Sequence, residues 1–361
     1  MGGGMCSSNI ELLRIVAMLA IIAHHYVVNS TVTGLFDPMH PTVNSIFLQL
    51  WGMWGKTAIN VFVLITGYFM CESKLTAKRY CKILFEIIFY SWVMWLVLAV
   101  FGYETISWKG AIKRLIMHNI MTKQDGGFVP AFMWMYLLIP AMNVYLANAP
   151  RRNLYITLGV LLGMFTLCST FLFADVYHHV FWYMTLYFVG AAIRKHPFGW
   201  MGSMRICACL LALSVVAAWA SVVGINYLAV WLGRPTIYPY FFVADSNKIL
   251  AFAVAFFAFL TFKNWRIPQL RFINAVAATT IGVLLIHAAT NGMRKWLWQD
   301  FVNVPAAYGM SLPSLIGYSF LVMFGVFATC SVLDYLRIRF IEKPIFKLFK
   351  WTNMPQYYGR T

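Results

Sequence analysis

Residues 9–26 read NIELLRIVAMLAIIAHHY, and this stretch decides the fold class. It is apolar over nearly the 20 residues that a helix needs to cross a bilayer. It also carries four ionisable side chains: Glu11, Arg14, His24 and His25. Ionisable groups inside a spanning helix are costly and mark functional sites by default. The stretch therefore predicts a transmembrane helix that carries part of a functional site.

The rest of the chain continues this composition. Of its 361 residues, 61% are hydrophobic and only 11% are charged, whereas soluble domains average about 25% charged residues. We count about ten apolar stretches, at approximately 10–29, 46–70, 83–101, 130–149, 154–173, 180–193, 206–224, 247–262, 276–290 and 311–333. Since backbone polar groups must be satisfied within the segment, each is expected to be a helix. The sequence predicts an all-α integral membrane protein with one domain over residues 1–361.

The distribution of basic residues predicts the orientation. If both termini are cytosolic and ten helices alternate, 18 of the 28 Lys and Arg residues fall on the cytosolic side and seven in outer loops. This excess supports a multi-pass plasma-membrane protein with cytosolic termini. Residues 334–361 are expected to form a basic amphipathic tail on the inner leaflet. The net charge of +17 is then topogenic and favours anionic lipid, so we expect no nucleic-acid partner.

The cysteines predict neither a disulfide framework nor a zinc site. Seven are scattered along the chain, at 6, 71, 81, 168, 207, 209 and 330, and no two form a CxxC pair. We expect no metal cofactor.

The spacing along the first helix predicts a site with two parts. Arg14 and His25 are eleven positions apart, which places them on one face, about 16 Å apart along the axis. Glu11 lies one turn before Arg14 and can pair with it, and His24 points about 80–100° away from His25. A cation can hold an anionic group, and a histidine can serve as general base toward a hydroxyl or thioester. The alternative is that Arg14 reaches the headgroups and His25 satisfies a neighbouring helix.

Several further segments resemble one known family, the acyltransferase family 3 membrane proteins. Arg14, ten residues and His25 are similar to the R-x10-H signature of its first helix. The other similar segments, in the family's order, are Asn60-Val-Phe-Val-Leu-Ile-Thr-Gly67, Trp134-Met-Tyr-Leu-Leu-Ile-Pro140, Trp182-Tyr183 with Tyr187-Phe188-Val189-Gly190, Ile281-Gly-Val-Leu-Leu-Ile-His287 and Glu342-Lys-Pro344. Thr66 replaces the usual Ser, and Leu284 replaces the usual aromatic residue.

The resemblance implies a ten-helix bundle that transfers an acyl group, usually acetyl from cytosolic acetyl-CoA. The acceptor is commonly a sugar hydroxyl of an extracytoplasmic envelope polysaccharide or lipid-linked sugar. Carried onto this chain, Arg14 would engage the acyl donor. His25 would activate the acceptor hydroxyl or carry the acyl group transiently, with His24 beside it.

Other candidate residues have structural alternatives. His287 is a catalytic partner or a satisfied core histidine, and Glu342 orients the tail or neutralises Arg14. Lys56 and Asn60, one turn apart, line one cavity, or Lys56 extends to the outer leaflet. Tyr183, with Trp182, stacks on an acceptor sugar or belongs to an interfacial aromatic belt. Trp134, in its motif, is a further candidate binding residue.

Two other functions compete with acyl transfer. Some proteins with this type of membrane domain resemble importers of small amino acids such as serine, so a small-solute transporter is the first alternative. A structural membrane partner without activity is the second, in which the cost of burying Arg14 and His25 would serve no purpose.

Overall fold

The computed structural model describes residues 7–115, 127–174 and 176–348, and within these ranges it is helical with no strand. The first four helices are α1 (Ser8–Val28), α2 (Val43–Gly52), α3 (Gly55–Met70) and α4 (Ala77–Val100). Threonine caps begin two of them, because the Thr42 and Thr76 side chains accept hydrogen bonds from the backbone of Ser45 and Arg79.

The remaining helices follow in chain order, and the longer ones overlap the other predicted apolar stretches. They are α5 (Trp108–Leu115), α6 (Phe128–Leu137), α7 (Ile139–Asn148), α8 (Arg151–Leu162, continued by a π-helical turn and Ser169–Phe171), α9 (His179–Lys195), α10 (Met204–Leu232), α11 (Ile249–Asn264), α12 (Arg271–Ala277), α13 (Thr280–His287), α14 (Asn291–Arg294, continued by the π-helix Lys295–Phe301), α15 (Val304–Ala307), α16 (Leu312–Arg337, continued by the π-helix Ile338–Glu342) and α17 (Lys343–Leu348).

Judged by helix length and composition, the structure has fewer candidate membrane spans than the ten that the sequence predicted. In the described ranges, five helices are long and apolar enough to cross a membrane, or up to seven if each bent pair is one span. The bent pairs are α6–α7, at 52°, and the α12–α13 unit against α14–α15, at 94°. The protein is a multi-pass helical membrane protein, and the count of ten spans with cytosolic termini stays a prediction.

Helix α1 occupies the centre of the bundle. It contacts α2, α3, α11, α12, α13 and α16. Of its most apolar window, 56% is buried inside the protein, against 22–33% in the other four long helices. Ionisable residues on α1 therefore lie among other helices, where protein groups can satisfy them.

Helices α3 and α9 cross with their backbones in close approach. A Cβ added at Gly67 would overlap the backbone of Tyr187, and one added at Gly190 would overlap the backbone of Leu64. Small residues at such a crossing let two backbones approach directly. This packing explains why both helices carry a glycine in the segments that resemble the family.

The expected boundary of a tail at Asp334 falls inside the last long helix. Residues Leu312–Leu348 form one helical unit of 37 residues. Asp334, Arg337 and Glu342 are at most 4% exposed, because they bind each other and α4 inside the bundle. Buried residues thus continue to Glu342, while the predicted inner-leaflet tail over residues 334–361 stays a prediction and residues 349–361 lie outside the described residues.

Candidate active site

An open cavity of about 800 Å³ lies at the C-terminal end of α1. We call it the His25 cavity. Its walls come from α1, α3, α4, α5, α6, α13 and α14 and from the loop that contains Glu104. Pockets of roughly 300–1,000 Å³ bind small molecules and cofactors. The volume therefore suits a substrate rather than a single ion or water.

One wall of the His25 cavity is a break in a helix. Helix α13 ends at His287, and the chain turns by 94° before α14. The connecting residues, 288–291, all line the cavity. Irregular backbone at membrane depth is tolerated where it lines a polar cavity, because water or ligand satisfies the freed polar groups. The helix break thus forms part of the cavity wall, and the cavity gives room for the water or ligand that satisfies the polar backbone groups of the break.

The two histidines His25 and His287 are joined by a hydrogen bond. His25 Nδ1 lies 2.9 Å from His287 Nε2, and His287 Nδ1 lies 2.5 Å from the carbonyl oxygen of Val283. A carbonyl only accepts, so His287 Nδ1 carries a proton and donates it. In the neutral pair, His287 Nε2 then accepts from His25 Nδ1–H. This arrangement leaves His25 Nε2 unprotonated and able to act as a base.

His24 is held by a different contact. Its Nδ1 lies 2.6 Å from the carbonyl oxygen of Gly52 and donates to it. A Cβ at Gly55 would overlap the His24 ring, so the glycine provides the space that the ring occupies. His24 therefore fixes α1 against the junction of α2 and α3, while its ring also lines the cavity.

Basic side chains dominate the ionisable lining of the cavity. Lys56, Lys113, Arg114 and Arg294 line it together with one acid, Glu104. Lys56 pairs with Asp245 at 3.6 Å. The predicted cavity role of Lys56 is therefore consistent with its position, whereas Asn60 lies elsewhere.

Asn60 is fully buried in the helix packing. Its amide donates to the carbonyl oxygen of Ser246 at 2.6 Å and accepts from the indole of Trp182 at 3.0 Å. Tyr183 is 1% exposed and packs against Phe128 and His179. Trp134 is 40% exposed on the outside of α6. The structure does not bring Asn60, Tyr183 or Trp134 to the cavity wall.

Arg14 lies toward the other end of α1. Its guanidinium pairs with Glu11 at 3.4 Å, as the sequence predicted, and its side chain is 33% exposed. Arg14 does not line the His25 cavity. The eleven-residue separation places the two groups about 16 Å apart along α1. Any substrate that contacts both must be long.

Glu342 belongs to a buried ion cluster rather than to Arg14. Arg337 binds three carboxylates: Asp334 at 2.6 Å, Glu342 at 2.7 Å and Glu86 at 3.0 Å. Lys82 pairs with Glu342 at 2.9 Å. We call these five residues the Arg337 cluster; through it Glu86 pairs within the bundle.

Tyr90 connects the cluster to the cavity. Its hydroxyl donates to Asp334 Oδ1 at 2.8 Å, and the same side chain lines the His25 cavity. Tyr90 was not predicted as a site residue, since one tyrosine in an aromatic-rich helix does not stand out. Arg294, seven residues after His287, was likewise not predicted as a site residue.

Among the described residues, no three His, Cys, Asp or Glu side chains lie close enough to hold a metal ion. The lining of the His25 cavity instead offers a base, hydrogen-bond donors and fixed positive charge.

Comparison with protein families gives one match. The model for an acyltransferase domain, that of the acyltransferase 3 family, matches residues 7–334, which is nearly the whole chain. No match was found among curated proteins or among solved structures.

Proposed function

Because this chain belongs to the acyltransferase 3 family and is a membrane acyltransferase, we propose that it transfers an acetyl group from cytosolic acetyl-CoA to a hydroxyl of an extracytoplasmic envelope glycan. One observation carries the proposal: the hydrogen-bonded series from Val283 through His287 to His25 ends at the wall of a substrate-sized cavity. A base oriented by a second group is the usual arrangement for activating a hydroxyl.

The proposed transfer uses His25 Nε2 as the base. It takes the proton of the acceptor hydroxyl while the oxygen attacks the acetyl carbonyl carbon. The carbon–oxygen bond forms, the carbon–sulfur bond of the thioester breaks, and the proton passes to the departing sulfur. The products are the acetyl ester and free CoA thiol. His287 acts as a positioning residue, because its bond to Val283 sets the tautomer of His25.

Arg14 is proposed to bind the donor. A phosphate or the pantetheine arm of acetyl-CoA at Arg14 would leave the acetyl group to reach His25, about 16 Å along α1. Glu11 orients the guanidinium. In this proposal the Arg14 end faces the cytosol of a plasma membrane, the His25 end faces the acceptor, and the partners are membrane lipid, acyl-CoA and a glycan or lipid-linked sugar. Neither a metal nor a nucleic acid takes part.

The test measures acetate released by base from the cell envelope. Cells carry the intact protein, no protein, His25→Ala or His178→Ala, with matched membrane levels. His178 is an exposed histidine outside the cavity and serves as the control. We expect acetate to rise with the intact protein and His178→Ala only, since loss of a general base costs roughly 10²–10⁴-fold. Acetylation by His25→Ala at the wild-type rate would reject the assignment.

A second measurement distinguishes transfer from transport. Purified protein should consume acetyl-CoA in the presence of envelope acceptor. Saturable uptake of a small solute without a donor requirement would instead favour the transporter alternative.

A further inference from the structure

We propose that the acceptor is anionic and that Arg294 binds its phosphate group beside His25. This inference rests on the proposed function and narrows its acceptor to a phosphate-bearing hydroxyl compound. The same chemistry occurs in a soluble sugar phosphate and in a phosphate-linked lipid headgroup.

The first support is the charge of the cavity wall. Four cationic side chains face one carboxylate there, and the only described acid that pairs with one of them from outside the wall is Asp245, bound to Lys56. Without Lys56, three cations still face Glu104. A cavity with this excess attracts anions, and its low-dielectric walls concentrate the field.

The second support is the state of Arg294. Among the described residues it forms no ion pair, and its Nε is buried without a hydrogen-bond partner. A guanidinium has five N–H donors in a fixed fork, and an unpaired buried charge is expensive. A phosphate supplies the charge and the oxygen acceptors that this fork matches in geometry.

The third support is that Arg114 keeps its charge available. Its Nε donates to the carbonyl oxygen of Ser91 at 3.3 Å, one terminal nitrogen donates to that of Gly110 at 3.2 Å, and its guanidinium lies 4.2 Å from the ring centre of Trp95. These partners are neutral, so they fix the side chain without cancelling its charge. Glu104 is the described acid whose negative charge interacts with the Arg114 guanidinium.

The position of Arg294 links phosphate binding to the proposed acyl transfer at His25. Arg294 follows the helix break that begins at His287, and His287 bonds to His25. A phosphate held by Arg294 places the rest of the acceptor in the cavity that His25 lines. Arg14, the proposed donor contact, does not line this cavity, so the two anionic substrates use different cations.

The test uses inorganic pyrophosphate as the probe and binding as the readout. Purified full-length protein in phosphatidylcholine nanodiscs is titrated by calorimetry at low and high salt. Arg294→Gln is compared with Lys295→Gln, which removes an adjacent exposed cation outside the cavity. Arg294→Lys keeps the charge without the fork.

We expect Arg294→Gln to weaken pyrophosphate binding by about tenfold or more, since it removes charge-assisted hydrogen bonds to the phosphate. Arg294→Lys should weaken it less, and Lys295→Gln should stay within about twofold, as surface charges contribute little. No binding by the intact protein, or equal binding by Arg294→Gln, would overturn the proposal.

Competition experiments then identify whether the Arg294 site binds the acyl donor or the acceptor. Saturating CoA should leave pyrophosphate bound, and its displacement by CoA would assign the site to the donor and overturn the inference. Glucose 1-phosphate as competitor supports a soluble source, and phosphatidylglycerol in the nanodisc supports a lipid source. If neither glucose 1-phosphate nor phosphatidylglycerol displaces pyrophosphate, or if neutral methyl glucoside displaces it equally well, the proposed phosphate site is also overturned. Intact pyrophosphate binding without any acetyl transfer would count against the proposed function and not against this anion site.

Discussion

Two arginines inside the same bundle have opposite surroundings. Arg337 contacts three carboxylates, with Lys82 paired to one of them. Arg294 has no acidic partner among the described residues and lines an open cavity. A fully buried cation such as Arg337, with a full set of partners, stabilises a specific packing arrangement. A half-buried cation such as Arg294, without an acidic partner at a cavity wall, is positioned for a ligand. The difference separates a structural charge from a functional one without reference to sequence motifs.

The largest loss of stability should come from replacing Arg337, the centre of the Arg337 cluster. Arg337→Met leaves Glu86, Asp334 and Glu342 buried without their shared guanidinium, while Lys82 stays paired with Glu342. Breaking a buried ion network in this way costs about 3–5 kcal/mol. We expect a large fall in the midpoint of thermal unfolding in a fixed detergent.

The control for that substitution is Arg339→Met, two residues away on the exposed side of the helix. It should leave the midpoint nearly unchanged, because surface charge contacts contribute about 0–1 kcal/mol. Equal midpoints for both variants would show that the Arg337 cluster does not stabilise the fold.

A smaller loss of stability is expected from a substitution that crowds the Arg337 cluster. A Cβ at Gly282 would overlap the carboxylate of Asp334, so Gly282→Ala must displace that side chain from Arg337. Overpacking of this kind costs about 1–3 kcal/mol. Gly317→Ala on α16 is the control, since a Cβ there meets no atom within 4 Å. An unfolding midpoint for Gly282→Ala equal to that of the control would contradict the packing.

Tyr90→Phe tests the contact between the two regions. It removes the hydroxyl that donates to Asp334 and keeps the ring that lines the cavity. We expect a loss of about 1 kcal/mol in unfolding free energy. Pyrophosphate binding should remain, and its loss together with stability would mean that the Arg337 cluster and the His25 cavity are one functional unit.

The smallest effect on stability should come from Arg294→Met. Since Arg294 lacks a charged partner among the described residues, replacing it with an apolar side chain relieves an uncompensated charge. The unfolding midpoint should stay equal or rise while pyrophosphate binding falls. A midpoint as low as that of Arg337→Met would show that Arg294 has a structural role and would remove the contrast.

The sequence predicted the helical class because hydropathy reports removal from water. Each of the ten apolar stretches is largely helical, although 276–290 runs into the break after α13, and the pairing of Arg14 with Glu11 follows from helical spacing. Hydropathy cannot separate a lipid-facing surface from a protein interior. For that reason Trp182 and Tyr183 resembled an interfacial belt but are buried at 0% and 1% exposure.

The site was predictable only where its residues share one helix. His24 and His25 both line the cavity, as their position on α1 suggested. The contact of His25 with His287 joins residues 262 positions apart, and the break after His287 depends on tertiary packing. Arg294 was not predicted as a site residue and Asp334 was predicted only as the start of a tail, because a sequence does not show which charges the fold encloses.

The π-helix at Ile338–Glu342 has a consequence for helical phase. In a regular α-helix each residue advances by 100°, so Glu342, five positions after Arg337, would point away from it. The wider π turn, with its i to i+5 hydrogen bonds, returns Glu342 to the same side, where it binds Arg337 at 2.7 Å. The π turn therefore holds one residue more than an α turn while Glu342 stays beside Arg337. Deleting one residue from this turn would make it a regular α turn, with Glu342 four positions after Arg337 and about 40° away. The ion pair and the sides of the helix that Lys343 and Lys347 occupy would then be kept, so this turn can absorb a single-residue length change without reorienting the C-terminal end.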